Sequence, residues 1–238
     1  VAITKVDAVP PARLAEVEAG IDALLHGSPL AGCPKFPVSN ITGQGIAELA
    51  SWLQALNREI APRDAGRLFR LAVDRSFVLK GAGVVVTGTV LDGTVSVGAE
   101  VVLSPSGLAA RVRSIHAQNR KADQGRAGER CALNLAGPGI EKDALHRGET
   151  VTLSACHAPT ERIDVAMRVA PGGKPVTQWM SARLHHATAE VGARIVLLQD
   201  SSAQPGSDAR LQLVLDKPIA ARVHDRFILR DVSARLTL

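Results

Sequence analysis

Apolar residues change rhythm once along this chain, near residue 66. Before that point Leu14, Val17, Ile21, Leu24 and Leu25 recur at helical spacing, as do Ile46, Leu49, Leu53 and Leu56. These periods predict two amphipathic helices. Pro11 suits the first turn of one, which Gly27-Ser28-Pro29 stops, and the other ends before Ala61-Pro62. Strand-like runs at Val1-Ala2-Ile3 and at 35–38 precede them, so the order strand, helix, strand, helix predicts an α/β unit. Val1-Ala2-Ile3 reads as the end of a buried strand, and the chain is expected to enter partway through a domain.

After residue 66 the helical period gives way to short β-branched runs. Strands are predicted at 68–77 and 84–90, joined by a Lys80-Gly81-Ala82-Gly83 turn and closed by Asp92-Gly93. Further runs lie at 101–103, 110–116, 131–135 and 150–153, separated by Ser104-Pro105-Ser106-Gly107, by 125–128 and by Gly137-Pro138-Gly139. His157-Ala158-Pro159 reads as a linker. A second set follows at 162–169, 182–186, 193–198, 209–215 and 226–229, punctuated by 205–208 and Lys217-Pro218. Strands of this kind close most naturally into antiparallel barrels. The expected fold is therefore mainly β: two consecutive antiparallel β-barrels, 67–156 and 159–238, behind an α/β portion, 1–62.

Composition narrows the function. No apolar run approaches the roughly 20 residues of a membrane span. Three distant cysteines, Cys33, Cys131 and Cys156, argue against both a disulfide framework and a zinc site, which implies the cytosol. Residues 1–62 carry four Lys/Arg against six Asp/Glu, whereas 63–238 carry 24 against 17. The second part therefore favours a polyanionic partner, or else simply has a basic solvated surface. With four Phe, two Trp and no Tyr, the chain has few rings for base stacking. An RNA partner would be held by backbone and shape contacts.

Local motifs then give a resemblance. Asp74-Arg75-Ser76-Phe77, followed by Lys80-Gly81-Ala82-Gly83 and Val86-Thr87-Gly88, resembles the opening of the second domain of translational GTPases. His116-Ala117-Gln118-Asn119 resembles the bacterial selenocysteine-specific elongation factors within that group. Thr4-Lys5-Val6-Asp7 resembles the guanine motif of GTPases, and Ser39-Asn40 the second one, with Asn where Ala is usual. Each loop follows a predicted strand, where open α/β sheets bind ligands. In such a motif the Asp carboxylate accepts two N–H groups of guanine, the Lys stem lies along the base, and the second loop offers a backbone donor. The resemblance thus implies guanine contacts at Thr4, Lys5, Asp7, Ser39 and Asn40, in the C-terminal part of a P-loop GTPase domain.

No G-x-x-x-x-G-K-[ST] run occurs in the sequence, nor a D-x-x-G element ahead of the guanine motifs. Lys80-Gly81-Ala82-Gly83 and Gly172-Gly173-Lys174-Pro175 both lack the Gly-Lys-Ser/Thr end. The chain is expected to be a fragment with no catalytic residues that does not hydrolyse GTP. GTP and Mg²⁺ would belong to the intact protein and are not expected to bind tightly here.

The resemblance also implies an aminoacyl pocket on the first barrel. Asp74 falls where the family keeps an acidic residue after its first strand, and Arg130 where elongation factor Tu has Asn. His116 and Arg75 complete the candidate set. A guanidinium beside a selenolate makes a charge-assisted contact of roughly 1.5–3 kcal/mol, which a neutral seryl hydroxyl cannot match. Successive strand residues face opposite sides, so Asp74 and Arg75 share a pocket only if a bulge intervenes. Read without the resemblance, Arg130 is equally a cross-sheet ion-pair partner, Asp74 a turn-amide acceptor, and His116 a half-buried strand residue. Arg111 and Arg113 are either phosphate contacts or a solvated edge.

The implied partners are selenocysteinyl-tRNA and the ribosome, with an mRNA hairpin reached only through winged-helix domains absent here. Other readings are elongation factor Tu or its initiation-factor relative, or the GTPase subunit of sulfate adenylyltransferase, which uses the same domain order without tRNA. His185-His186 suggests a metal pair, but adjacent strand residues diverge and no third ligand is evident, so no metal is expected.

Overall fold

The computed structural model describes residues 1–61, 66–81, 83–232 and 236–238. The expected stop at Pro62 and Ala82 of the expected turn lie outside them. The chain divides into two units, Val1–Pro62 and Arg63–Leu238.

In the first unit β1 (Ala2–Ile3), α1 (Pro11–Leu25), β2 (Phe36–Pro37) and α2 (Ile46–Glu59) follow in the order that the apolar periods predict. β1 and β2 pair in parallel, Ala2 opposite Phe36 and Ile3 opposite Pro37. The Phe36 ring lies 5.3 Å from that of Trp52, which fixes α2 on the strand. Gly45 precedes α2 at φ 69°, and a Cβ there would sit 2.1 Å from the Pro37 carbonyl oxygen, so the position requires glycine. Val1 is 44% exposed and Ala2 is also exposed, contrary to the expected buried strand. Among the described residues β1 pairs only with β2, and α1 buries none of its side chains.

In the second unit the described elements are strands, apart from three-residue 3-10 turns at Lys142–Ala144 and Ser154–Cys156. Its first sheet comprises β3 (Arg70–Leu79), β4 (Gly83–Asp92), β6 (Glu100–Ser104), β7 (Ala109–Ala117), β8 (Arg120–Ala122), β10 (Arg130–Ala136) and β11 (Thr150–Thr152). The strand order is β10-β4-β3-β11-β6-β7-β8, and a further β10–β7 pairing closes it into a barrel. Inward residues such as Leu71, Val86, Leu103, Ile115 and Leu133 form its core. β5 (Thr94–Ser96) pairs with β9 (Gln124–Arg126), so the segment predicted as a turn at 125–128 begins within a strand. A Cβ on Gly125 would meet the Cys131 sulfur at 2.8 Å, so this glycine marks a close approach and not a turn.

The second barrel carries β12 (Thr160–Arg168), β14 (Ser181–His186), β15 (Ala189–Leu197), β17 (Asp208–Ile219) and β18 (Phe227–Asp231) in the order β12-β17-β15-β14-β18. Two short strands, β13 (Val176–Thr177) and β16 (Ser202–Ala203), pair beside it. Its core centres on Leu184, Ile195, Leu211, Leu213 and Leu229. Lys217-Pro218, predicted to punctuate, lies inside β17 near the register shift against β12, an irregularity that tolerates a residue without an N–H.

One ionic group ties the barrels together. Arg70 of β3 donates from Nε and Nη2 to Asp92 Oδ2 at 2.8 and 2.6 Å. Its Nη1 and Nη2 each donate to Asp225, both at 2.8 Å. His186 Nε2 lies 2.9 Å from Asp225 Oδ2, and the Arg222 N–H donates to the same oxygen. Burial works against the charge on both sides of this group. The Arg70 hydrogen bonds and charge nevertheless hold the Asp225 carboxyl far below the usual carboxylate range.

Candidate functional site

The outer face of the first barrel carries a groove of about 400 Å³ across β3, β4, β10 and β7. Strand register places its residues. Phe77 pairs with Val85, Ala132 with Thr87, and His116 with Ala132, so alternate positions on these strands share the outward face. Val85, Thr87 and Asn134 are buried and form the floor, while Arg130, His116 and Asn119 are exposed along its rim. Gln118 and Asn119 turn the β7–β8 hairpin with φ of 50° and 63°, and the Gln118 N–H donates to the Arg130 carbonyl at 3.1 Å. The hairpin tip is thereby tied to the strand that carries the arginine.

A bulge in β3 decides the chemistry of the groove. Val73 pairs with Gly88 and Arg75 with Thr87, leaving Asp74 as the extra residue. Such a bulge turns Asp74 toward the side occupied by Thr87 and Arg130. Arg130 Nη2 donates to Asp74 Oδ1 at 2.9 Å and Oδ2 at 3.0 Å, and Nε to Oδ2 at 3.2 Å. The Thr87 hydroxyl donates to Asp74 Oδ1 at 2.6 Å and accepts from Arg130 Nη2 at 3.1 Å. Partial burial works to raise the Asp74 pKa. The bonds from Thr87 and Arg130, and the charges of Arg130 and Arg75, outweigh it and hold the carboxyl below its ordinary value.

Asp74 and Arg130 therefore meet, and His116 lines the same groove. Arg75 is exposed and acts on Asp74 through its charge; neither of the two lines the groove itself, which Asp74 reaches only through its bonds with Thr87 and Arg130. The readings of Arg130 as an ion-pair partner and as a rim residue coincide in one geometry. Thr87, Asn119 and Asn134 were missed. Counting back from the expected four-residue turn at 80–83 sets Thr87 opposite Ser76, one position out of register, whereas the observed Leu79–Gly83 pair sets it opposite Arg75. The Cys131 thiol packs into the core, where burial pushes its pKa up to about 11.

In the first unit the two sequence-predicted loops lie side by side. Thr4, Lys5 and Asp7 follow β1, and Ser39 and Asn40 follow β2; the Val6 N–H donates to the Val38 carbonyl at 3.4 Å, linking the loops. Lys5 adopts φ 61°. Ser39 is fully buried, and its hydroxyl accepts from the Ile41 and Thr42 N–H groups, both at 3.2 Å, which shapes the loop and leaves Asn40 exposed. Asp7 and Lys5 are also exposed.

On the second barrel, outward positions of the five-stranded sheet carry Arg162, Arg168, Arg183, Arg194, Arg210 and Arg230. His186 faces inward, and His185 lies on the opposite side of β14. Among the described residues no cluster of three or more His, Cys, Asp or Glu could hold a metal, and no helix is long and apolar enough to cross a membrane.

Residues 160–238 match the β-barrel domain family of selenocysteine-specific elongation factors, and 83–152 match elongation factor Tu domain 2. The selenocysteine-specific elongation factor of Escherichia coli strain K12 is 39% identical over 239 residues, which cover 100% of this chain and 36% of that protein. The protein of the same name from Desulfomicrobium baculatum is 36% identical, covering 100% and 37%. A crystal structure of a bacterial selenocysteine-specific elongation factor, 24% identical, shares the fold with a TM-score of 0.80 over 100% of this chain and 38% of its own. The chain thus spans little more than a third of the length of these relatives.

Proposed function

This chain is kin along its whole length to the selenocysteine-specific elongation factors, a family of translational GTPases, and on that premise we propose that it carries the aminoacyl-recognition part of such a factor. The barrel 67–156 holds the selenocysteinyl end of the tRNA in the groove at Asp74, Thr87, His116 and Arg130, with Arg75 adding positive charge nearby. The barrel 159–238 meets the tRNA backbone through its outward arginines. The 1–62 unit supplies the guanine contacts at Thr4, Lys5, Asp7, Ser39 and Asn40. The parent protein binds GTP with Mg²⁺ and delivers selenocysteinyl-tRNA to the ribosome in the cytoplasm. Without a phosphate cradle in its sequence, the chain itself does not hydrolyse GTP.

The observation that carries this reading is the Arg130 guanidinium, held on one edge by Asp74 and exposed at the rim of the groove. A selenol is largely ionised near neutral pH, and a selenolate entering beside Arg130 gains a charge-assisted contact. A seryl hydroxyl gains only a neutral one, a difference of about 1–1.5 kcal/mol for each N–H engaged, so roughly tenfold in affinity for one and up to about a hundredfold for two. Competition between selenocysteinyl-tRNA and seryl-tRNA for this chain tests the assignment. Arg130→Asn erases most of the preference for the selenocysteinyl form while keeping the salt-dependent background; an unchanged ratio refutes the assignment.

A further inference from the structure

We propose that Thr87 is a positioning residue that selects which edge of the Arg130 guanidinium the groove offers to a ligand. The proposal rests on the reading of this groove as an anion-selective aminoacyl site.

A guanidinium and a carboxylate can form a fork in two ways. End-on pairing uses both terminal nitrogens, whereas side-on pairing uses Nε and one terminal nitrogen. Arg130 is side-on: Nε and Nη2 reach Asp74. The Asp74 carboxylate alone does not dictate this choice, since its two oxygens accept either pair. The Thr87 hydroxyl does. It has one proton, and Arg130 is donor-only, so that proton goes to Asp74 Oδ1, where the 2.6 Å contact lies. Its lone pair is then turned to Arg130 and accepts from Nη2 at 3.1 Å.

Nη2 consequently has three acceptors, namely both Asp74 oxygens and Thr87 Oγ1. Nη1 has no hydrogen-bond partner among the described residues, and its two N–H groups remain for a ligand. Thr87 is itself 8% exposed on the floor of the groove, so its rotamer is fixed by the sheet and not by solvent. Removing the hydroxyl frees Nη2 from its third acceptor and lets Arg130 swing end-on. Both terminal nitrogens then belong to Asp74, and only Nε is left for an incoming anion.

The test compares Thr87→Val, which keeps the shape and loses the hydroxyl, with Thr87→Ser, which keeps the hydroxyl, and with Arg130→Asn, all in the full chain. The readout is the ratio of affinities for selenocysteinyl-tRNA and seryl-tRNA, with the thermal midpoint as a check on folding. Thr87→Val is expected to lower the ratio about tenfold, equivalent to roughly 1.4 kcal/mol. Thr87→Ser is expected to hold it within about twofold, because a hydroxyl that both donates and accepts is retained. If Thr87→Val weakens both tRNAs in step, its role is merely structural and the proposal fails. If Arg130→Asn abolishes the preference but Thr87→Val preserves it, the proposal fails while the groove assignment survives. If neither variant changes the ratio, the groove assignment fails too.

Discussion

At the scale of single residues, two carboxylates of the first barrel experience burial with opposite results. Asp74 is drawn below its ordinary pKa by partners that outweigh desolvation. Glu149 is 9% exposed, and burial dominates there: desolvation raises its pKa, and the hydrogen bonds from the Ser106 hydroxyl and backbone, with the charges of His146 and His157, offset only part of the rise. A carboxyl with a raised pKa favours its protonated form in the fold. Its stabilising effect is therefore complete below the ordinary value near ~4.3 and is lost as pH climbs through the raised one. Glu149→Gln keeps an acceptor for Ser106 without the charge. It is expected to raise stability at neutral pH by about 0.5–1 kcal/mol, with no gain at pH ~4, as measured by urea unfolding at the two pH values. A loss at neutral pH would mean that the Ser106 contacts outweigh desolvation.

At the scale of elements, the β3–β4 hairpin carries the groove, and Gly88 lets its two strands approach. A Cβ on Gly88 would lie 2.0 Å from the Ala72 carbonyl oxygen, a backbone atom with nowhere to move. Gly88→Ala is expected to cost more than about 3 kcal/mol, because β4 must part from β3 beside the Asp74 bulge. Chemical-shift changes at Thr87 and Arg130 should accompany that loss; a variant as stable as the parent would count against the packing. The same hairpin shows what sequence reasoning can reach. Its strands and the helical periods of α1 and α2 were legible, because alternation and spacing encode which face is buried. Asp74 and Arg130 entered one candidate set through the resemblance alone, and their ion pair was not foreseen. The bulge was legible only as a condition, since one extra residue leaves no mark in an apolar pattern. β5 and β9 were not legible at all. They are three residues each, too short for periodicity, and the close approach at Gly125 resembles a turn signal.

At the scale of the molecule, Arg70 joins two barrels whose cores are otherwise separate. Arg70→Met removes the guanidinium and leaves Asp92 and Asp225 facing each other with little exposure, a change expected to cost about 3–5 kcal/mol. Calorimetry is expected to show the second unit of the parent melting as one transition and that of Arg70→Met as two; a single transition in the variant would deny the tie its role. The depressed Asp225 adds a pH dependence. Its contribution is complete above the ordinary carboxylate value near ~4 and is lost as pH falls below it, and the parent should lose stability there more steeply than Arg70→Met. With that ionic clasp in place, the barrel that carries the groove and the barrel that carries the outward arginines are buckled together through the Arg70 guanidinium. A ligand that spanned both would meet them at a spacing that Arg70 helps to set.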